Sequence, residues 1–355
     1  MYTARLINLR DKLQEKHLSG ILLNSDANRN YITGFTGDES YALITKERAF
    51  FITDSRYIQQ AKLEAKLFEV VDYKGDLVSC ISNLIRDLKI EKLAFEDEKI
   101  SFSQYDKFKN GFECELVPQE GMVEELRIVK DDYEIECISK AAEIADKAFS
   151  HITNFIKVGM KESEVALELE FFMKKLGASA LSFTSIVASG VRSSLPHGTA
   201  TSKVINDGDF LTLDFGCVYN GYCSDMTRTV VIGKPNEKMI EIYETVKFAQ
   251  EKALEEIAPG KMCSDIDKVA RDYIKSKGYG SYFGHGLGHG VGSEIHEEPR
   301  VSPKSKTMLK CGMVITDEPG IYIPEFGGVR IEDLILVTED GCKVLSKSSK
   351  ELICI

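Results

Sequence analysis

Residues 208–225 read GDFLTLDFGCVYNGYCSD, and residues 312–332 read GMVITDEPGIYIPEFGGVRIE. Laid over each other, they decide the fold of the larger part of the chain. In the first, LTLDFGCVYNGYCSD reads strand, turn, strand. Asn220-Gly221 is a favoured dipeptide for a two-residue hairpin, because both positions need φ > 0. That turn pairs Tyr219 with Tyr222, and therefore Gly216 with Asp225 and Asp214 with Thr227. A side-chain period of two puts Asp214, Gly216, Asp225 and Thr227 on one face. The two aspartates are then diagonal neighbours, about 7–8 Å apart at the backbone. Two like charges so close are unfavourable unless a cation or protons compensate. Gly216 opposite Asp225 leaves space for an ion. Parity also puts Cys223 on the acids' face and turns Cys217 away. The alternative for these residues is an exposed hairpin with both acids in solvent.

The second stretch repeats the first. GDFLTLDFG lies over GMVITDEPG, so Asp214 falls on Glu318, and GYCSD lies over GVRIE, so Asp225 falls on Glu332. The match extends upstream at a spacing of 101: Gly159 on Gly260, Ser163 on Ser264, Val165 on Ile266, Gly177 on Gly278. A duplicated unit of two helices and strands, with an acid on each matching strand, predicts a pseudo-two-fold site between the halves. Val314, Thr316 and Glu318 share a strand face, and Pro319-Gly320 ends that strand with the glutamate at its tip. Arg330 and Glu332 share a face in VRIEDLILV, with Asp333 pointing the other way. A structural Arg330–Glu332 pair is one reading of these residues, and an Arg330 that holds a substrate carboxylate is another.

Three of the six histidines, His285, His289 and His296, lie in FGHGLGHGVGSEIHEEP, among Gly284, Gly286, Gly288, Gly290 and Gly292. Glycines let backbone approach a site closely, and imidazoles supply ligands and proton carriers. His197, in SLPHGTA, is a fourth candidate. His17 and His151 read as structural residues on helical faces. Asp214, Asp225, His289, Glu318 and Glu332 together are a set that two adjacent divalent cations would accept. Two metals about 3.5–4 Å apart can share and ionise a water near neutral pH. Carboxylates with a single imidazole form a hard ligand set, suited to Mn²⁺, Fe²⁺ or Co²⁺ more than to a thiolate-bound zinc.

Residues 1–125 alternate strand-like and helix-like patterns, an α/β arrangement with a largely buried sheet. Gly20–Leu23, Tyr41–Thr45, Ala49–Thr53 and Lys92–Phe95 read as strands; 4–17, 55–66 and 78–88 read as helices. Asn24–Gly37 (NSDANRNYITGFTG) reads as a polar surface loop. The charged segment RIVKDDYE at 127–134 leads into a long helix through Phe155, and the domain boundary is placed at about residue 126. The 355 residues are 43% hydrophobic and 28% charged, as in an ordinary soluble protein. A net charge of −11, with no Lys/Arg cluster, argues against nucleic acid as a partner. Nine cysteines without a CxxC pair read as reduced thiols. The amino-terminal segment lacks the apolar core of a signal peptide, and no apolar run approaches the ~20 residues that span a bilayer. A cytoplasmic location without membrane partners is expected.

The ordered acids and histidine, with SLPHG, LDFG, SDMTRT, GHGLGHGVG, HEEP, EPGIY and VRIED, resemble the Xaa-Pro peptidase group of the pita-bread metallopeptidases, which includes aminopeptidase P and prolidase. The resemblance covers residues 126–355 through these motifs, and residues 1–125 through ITGFTG and DSRY. It implies a creatinase-like α/β amino-terminal domain (1–125) and an α+β pita-bread catalytic domain (126–355). It also implies two divalent ions, Mn²⁺ first, with Co²⁺, Fe²⁺ or Zn²⁺ as alternatives. By this resemblance Asp214 chelates one ion, Asp225 and Glu332 bridge both, and His289 and Glu318 complete the second. Glu318 would shuttle the proton. His296 and His197 would stabilise the tetrahedral intermediate and contact the substrate backbone. His285 would line the proline subsite, and Tyr322 and Arg330 would orient substrate and ligands. A homodimer acting on proline-containing peptides is expected. Methionine aminopeptidases share the ligands but usually lack such a first domain; creatinase-type hydrolases lack the ligand set; a non-catalytic member would have lost ligands. The preferred activity is that of an Xaa-Pro aminopeptidase, with the dipeptidase as alternative. The difference rests on whether the pocket is closed and carries a cation for a free carboxylate.

Overall fold

Strands buried on both faces need continuous apolar runs rather than alternation, and such runs build the first part of the chain. The computed structural model describes residues 1–355 and divides them into two units, Met1–Arg127 and Ile128–Ile355. The first begins α1 (Tyr2–Glu15), β1 (Gly20–Leu23), α2 (Asp26–Thr33), β2 (Tyr41–Thr45), β3 (Ala49–Thr53). It continues α3 (Ile58–Glu64), β4 (Glu69–Asp72), α4 (Leu77–Asp87), β5 (Lys92–Glu96), α5 (Phe102–Gly111), β6 (Glu115–Gln119) and α6 (Glu124–Arg127). The sheet order is β4-β3-β2-β1-β5-β6, antiparallel among β1, β2 and β3 and parallel elsewhere. Ile21, Ala42, Phe51 and Ala94 pack on one face with Leu6, Leu9 and Leu13 of α1. Leu22, Leu43, Phe50 and Leu93 pack on the other with Ile81 and Ile85 of α4.

Two expectations are corrected here. Asn24–Gly37 is not a surface loop: it holds helix α2, ended by Gly34 at φ 79. Its polarity misled because its polar groups are buried and paired. Arg29 donates to the Ser40 and Gly37 carbonyls at 2.8 and 2.6 Å. Asn28 Nδ2 donates to Glu96 Oε1 at 2.7 Å, and Tyr31 and Ile32 join the core. His17 lies past the end of α1 at φ 54, not on a helical face.

The second unit is built twice over. Its first half is α7 (Asp132–Phe155), α8 (Glu162–Lys175), β7 (Ala180–Leu181), β8 (Ile186–Ser189), β9 (Phe210–Phe215), β10 (Cys217–Tyr219), β11 (Tyr222–Cys223) and β12 (Met226–Val231). The second half is α9 (Glu237–Glu256), α10 (Cys263–Ser276), β13 (Gly288–Gly290), β14 (Glu297–Val301) and β15 (Val314–Asp317). It ends with β16 (Gly320–Ile323), β17 (Gly327–Arg330), β18 (Asp333–Val337) and β19 (Cys342–Val344). Both ends of α10 are displaced from those of α8 by the same 101 positions, 263 against 162 and 276 against 175. The glycine before each helix is left-handed, Gly159 at φ 93 and Gly260 at φ 81. Each donates its N–H to a distant carbonyl, Ile205 at 2.9 Å and Leu309 at 2.8 Å. Antiparallel β8-β9-β12 in one half answers β13-β15-β18 in the other. A core of α7, α8 and the first set is matched by a core of α9, α10 and the second. The halves meet where Glu332 N donates to the Thr227 carbonyl at 3.1 Å. Residues 353–355 run along the outer edge of β12, with Val231 N donating to Ile353 O and Ile355 N to Val231 O, each at 2.9 Å. No helix is long and apolar enough to cross a membrane.

Candidate metal centre

The Asn220-Gly221 turn adopts φ 49 and 85, and it sets Tyr219 opposite Tyr222 and Asp214 opposite Thr227. The strands do not run on unbroken between those pairs: β9 gives way to β10 at Gly216, and β11 to β12 at Ser224-Asp225. A Cβ at Gly216 would sit 1.9 Å from the Ser224 carbonyl oxygen. The room this glycine provides is therefore taken by backbone, not by an ion. The break also ends the alternation. Cys223 packs with Cys137, Ile138 and Val291 and does not line the cavity that the acids share.

Five side chains from both halves converge nonetheless. Asp214, Asp225, His289, Glu318 and Glu332 all line a cavity of about 840 Å³. Ligand atoms of Asp225, His289 and Glu332 lie within 4.8 Å of one another. His289 Nε2 is 3.6 Å from Asp225 Oδ2 and 3.4 Å from Glu318 Oε1. The strand bearing His289 fits between two neighbours only because its flanks lack side chains. A Cβ at Gly288 would lie 2.1 Å from the Thr316 oxygen, and one at Gly290 2.2 Å from that of Glu298. Glu318 sits just beyond β15, its N–H on the Leu287 carbonyl at 2.8 Å.

Neighbouring groups aim these side chains. His289 Nδ1 is 3.0 Å from the Gly290 carbonyl. A carbonyl only accepts, so Nδ1 carries the hydrogen and the Nε2 lone pair faces the acids. Thr316 Oγ1 donates to Glu318 Oε1 at 3.2 Å, and Thr227 Oγ1 donates to Glu332 Oε2 at 2.6 Å. Arg330 does not pair with Glu332. Its Nη2 donates to Asp214 Oδ2 at 2.5 Å, its Nε to Thr227 Oγ1 at 3.0 Å and its Nη1 to Tyr322 Oη at 2.8 Å. Asp214 Oδ1 is buried with no hydrogen-bond partner.

In so dry a place, ionised carboxylates are costly without a cation to offset them. Burial, then repulsion from Glu332, Asp214 and Glu318, raises Asp225 well above the usual carboxylate range. Burial, then Glu318 and Asp214, does the same to Glu332. Burial pushes Glu318 up to about 7. Burial also lowers His289 to about 4, keeping it neutral and able to ligate. Four converging carboxylates, one lone-pair nitrogen and an orphaned Asp214 oxygen fit divalent cations in both number and hardness.

The other expected residues surround this centre. His285 Nδ1 faces the Gly286 carbonyl at 2.7 Å, which leaves Nε2 to accept from Tyr322 Oη at 2.9 Å. Tyr322 in turn accepts from Arg330. Burial holds His285 near 4 and Tyr322 near 12. His197 and His296 are exposed and line the same cavity. The His296 ring stands 4.5 Å from that of His289. Thr227 and Thr316 as ligand supports, and Arg300 as a cavity residue, were not assigned from the sequence. Arg300 pairs with His289 across β13 and β14, so its side chain leaves on the cavity face. Its side chain is half-exposed, with a loose 3.8 Å contact to Glu298. Strand alternation in HEEPRV was the only available signal for it.

Comparison with known proteins places both parts of the chain in known families. Residues 136–339 match the model of metallopeptidase family M24, and residues 5–129 match the creatinase/prolidase N-terminal domain. A Pyrococcus furiosus protein named Xaa-Pro dipeptidase is 43% identical over 98% of this chain and 99% of its own length. A solved Xaa-Pro dipeptidase from Bacillus anthracis is 48% identical, covers all of both chains and superposes with a TM-score of 0.98. A solved X-Pro aminopeptidase from Thermotoga maritima is 39% identical over 97% of this chain and all of its own, with a TM-score of 0.91.

Proposed function

The chain belongs to metallopeptidase family M24, and from that premise we propose that it is an Xaa-Pro dipeptidase, releasing proline from two-residue substrates. This reverses the order of the two activities expected from the sequence. The similar proteins named as dipeptidases favour the reversal, and one residue gives it a physical reason. A dipeptide brings its free carboxylate into the cavity, where it needs a cation. Arg330 has its donors on Asp214, Thr227 and Tyr322, whereas Arg300 borders the cavity with its guanidinium only loosely held. Arg300 is therefore assigned to the substrate carboxylate.

In this reading Asp214, Asp225, His289, Glu318 and Glu332 hold two divalent cations, Mn²⁺ by the hardness of the set. The cations, when bound, supply an ionised water near neutral pH and offset the acids' charge. Glu318 takes the proton that the attacking water gives up and delivers it to the prolyl nitrogen, which has no hydrogen of its own before cleavage. His296 and His197 donate to the oxygen of the scissile carbonyl as its charge develops. His285, locked by Tyr322, walls the proline ring. The family resemblance supports a cytoplasmic homodimer.

The test is turnover of Mn²⁺-loaded protein on an Xaa-Pro dipeptide and an Xaa-Pro-Xaa tripeptide, with a chelated control. Chelator-sensitive cleavage of the dipeptide alone is expected, and Arg300→Met should raise its KM about 10- to 100-fold. Equal cleavage of both peptides would restore the aminopeptidase.

A further inference from the structure

We propose that Arg228, on the far side of the sheet from the cavity, is a positioning residue that fixes the spacing of Asp225 and Glu332. Residues 348–350 complete the same clamp. The inference rests on the reading of these acids as cation ligands and goes beyond it.

Arg228 is 1% exposed, so each of its five N–H donors must find an acceptor within the protein. All five do. Nη1 donates to the Thr227 carbonyl at 2.9 Å and to the Glu332 carbonyl. Nη2 donates to Asp333 Oδ1 at 2.7 Å and to the Ser348 carbonyl at 2.8 Å. Nε donates to the Ser349 carbonyl at 3.1 Å. Two of these acceptors belong to backbone that carries the site: Thr227, two residues beyond Asp225, and Glu332 itself. One planar fork thus spans the seam where Glu332 N meets the Thr227 carbonyl. A guanidinium is rigid, so it transmits a fixed distance that a flexible ammonium cannot.

The clamp is anchored from behind. Lys350 Nζ lies 2.9 Å from Asp333 Oδ2 and donates to Gln250 Oε1 at 2.7 Å. Gln250 Nε2 donates to Asp333 Oδ2 at 3.1 Å. Asp333 is therefore held by Arg228 on one oxygen and by Lys350 and Gln250 on the other. Neither Arg228 nor Lys350 borders the cavity. Both act through the backbone that presents the acids, as supports behind metal ligands do.

The experiment is calorimetric titration of metal-free wild type, Arg228→Lys and Lys350→Met with Mn²⁺. Thermal unfolding and the electron paramagnetic resonance of a spin-coupled Mn²⁺ pair are recorded alongside. Arg228→Lys should bind its first ion as wild type does, bind the second at least about tenfold more weakly, and lose the coupled signal. Lys350→Met, which keeps the fork intact, should show a smaller loss in the same direction and decides the matter if Arg228→Lys does not fold. A fall in melting temperature with both affinities and the coupled signal unchanged would reduce the cluster to scaffold and overturn the proposal. Wild type that binds no second Mn²⁺ would overturn the ligand reading, and this inference with it.

Discussion

The two halves of the catalytic unit share a scaffold and divide the chemistry unequally. Val165, Leu169 and Met173 of α8 answer Ile266, Ala270 and Ile274 of α10, and all six are buried. At the site, the first half offers two short carboxylates, Asp214 and Asp225. The second offers two longer ones, Glu318 and Glu332, together with His289. The loops bearing the cavity histidines are tied by different devices. Buried Glu162 accepts from Ser189 N at 2.8 Å, Thr201 N at 3.1 Å and Arg192, holding the segment that carries His197. In the second half Asp267 accepts from Leu287 N at 3.0 Å and from Arg271, which donates to the His285 carbonyl at 2.7 Å. The outer faces differ as well: α8 exposes Leu167 and Phe171 where α10 carries the ion pair Lys268–Asp272. Core positions have kept their character across the duplication, while loops and surfaces are free to differ.

If each half supplies one member of a bridging pair, Asp225→Asn and Glu332→Gln should fail alike. Each should lose at least about a thousandfold in kcat/KM and hold less metal, by peptide turnover and elemental analysis. Full activity in either variant would break the equivalence. His296→Ala should lower kcat by about a hundredfold or more with metal content near wild type. Loss of metal in that variant would make His296 a ligand support instead.

A smaller effect is expected at His285. Its folded value near 4 lies below the unfolded value of about 6.5, so it gives stability that is present above pH 6.5 and lost as pH falls through 4. His285→Gln should remove roughly 2–3 kcal/mol of acid sensitivity between those limits, read by thermal unfolding across pH. An unchanged profile would mean that the imidazole is not held neutral. The smallest effect should come from moving the α10 pair onto α8: Leu167→Lys with Phe171→Asp should shift stability by no more than about 0.5 kcal/mol. A larger loss would show that this face of α8 is covered in solution.

Much of this is legible in the sequence, and what is not has physical causes. The unbroken apolar runs GILL, YALIT and AFFIT could be read because both faces of those strands are covered. The hairpin register followed from Asn220-Gly221 because a two-residue turn admits one pairing. That reading failed only at Gly216 and Cys223, where the strands break and alternation stops carrying information. Helix α2 was hidden because Asn28 and Arg29 look exposed in a sequence and are paired in the interior. β4 and β6, with no fully buried residue at the sheet edges, gave no pattern. Arg300 was missed for a different reason: alternation in HEEPRV could give its face, but its place at the cavity depends on its pairing with His289 on the neighbouring strand, which local periodicity cannot supply.

The clamp at Arg228 also bears on when the enzyme becomes active. The arginine reaches carbonyls up to 121 positions further along the chain. A chain leaving the ribosome amino-terminus first presents Asp214, Asp225 and Arg228 long before residues 348–350 emerge. Until they arrive, the back of the centre is unlatched and the guanidinium has no carbonyls from that segment. The metal site should therefore reach its final geometry only after synthesis has passed that segment.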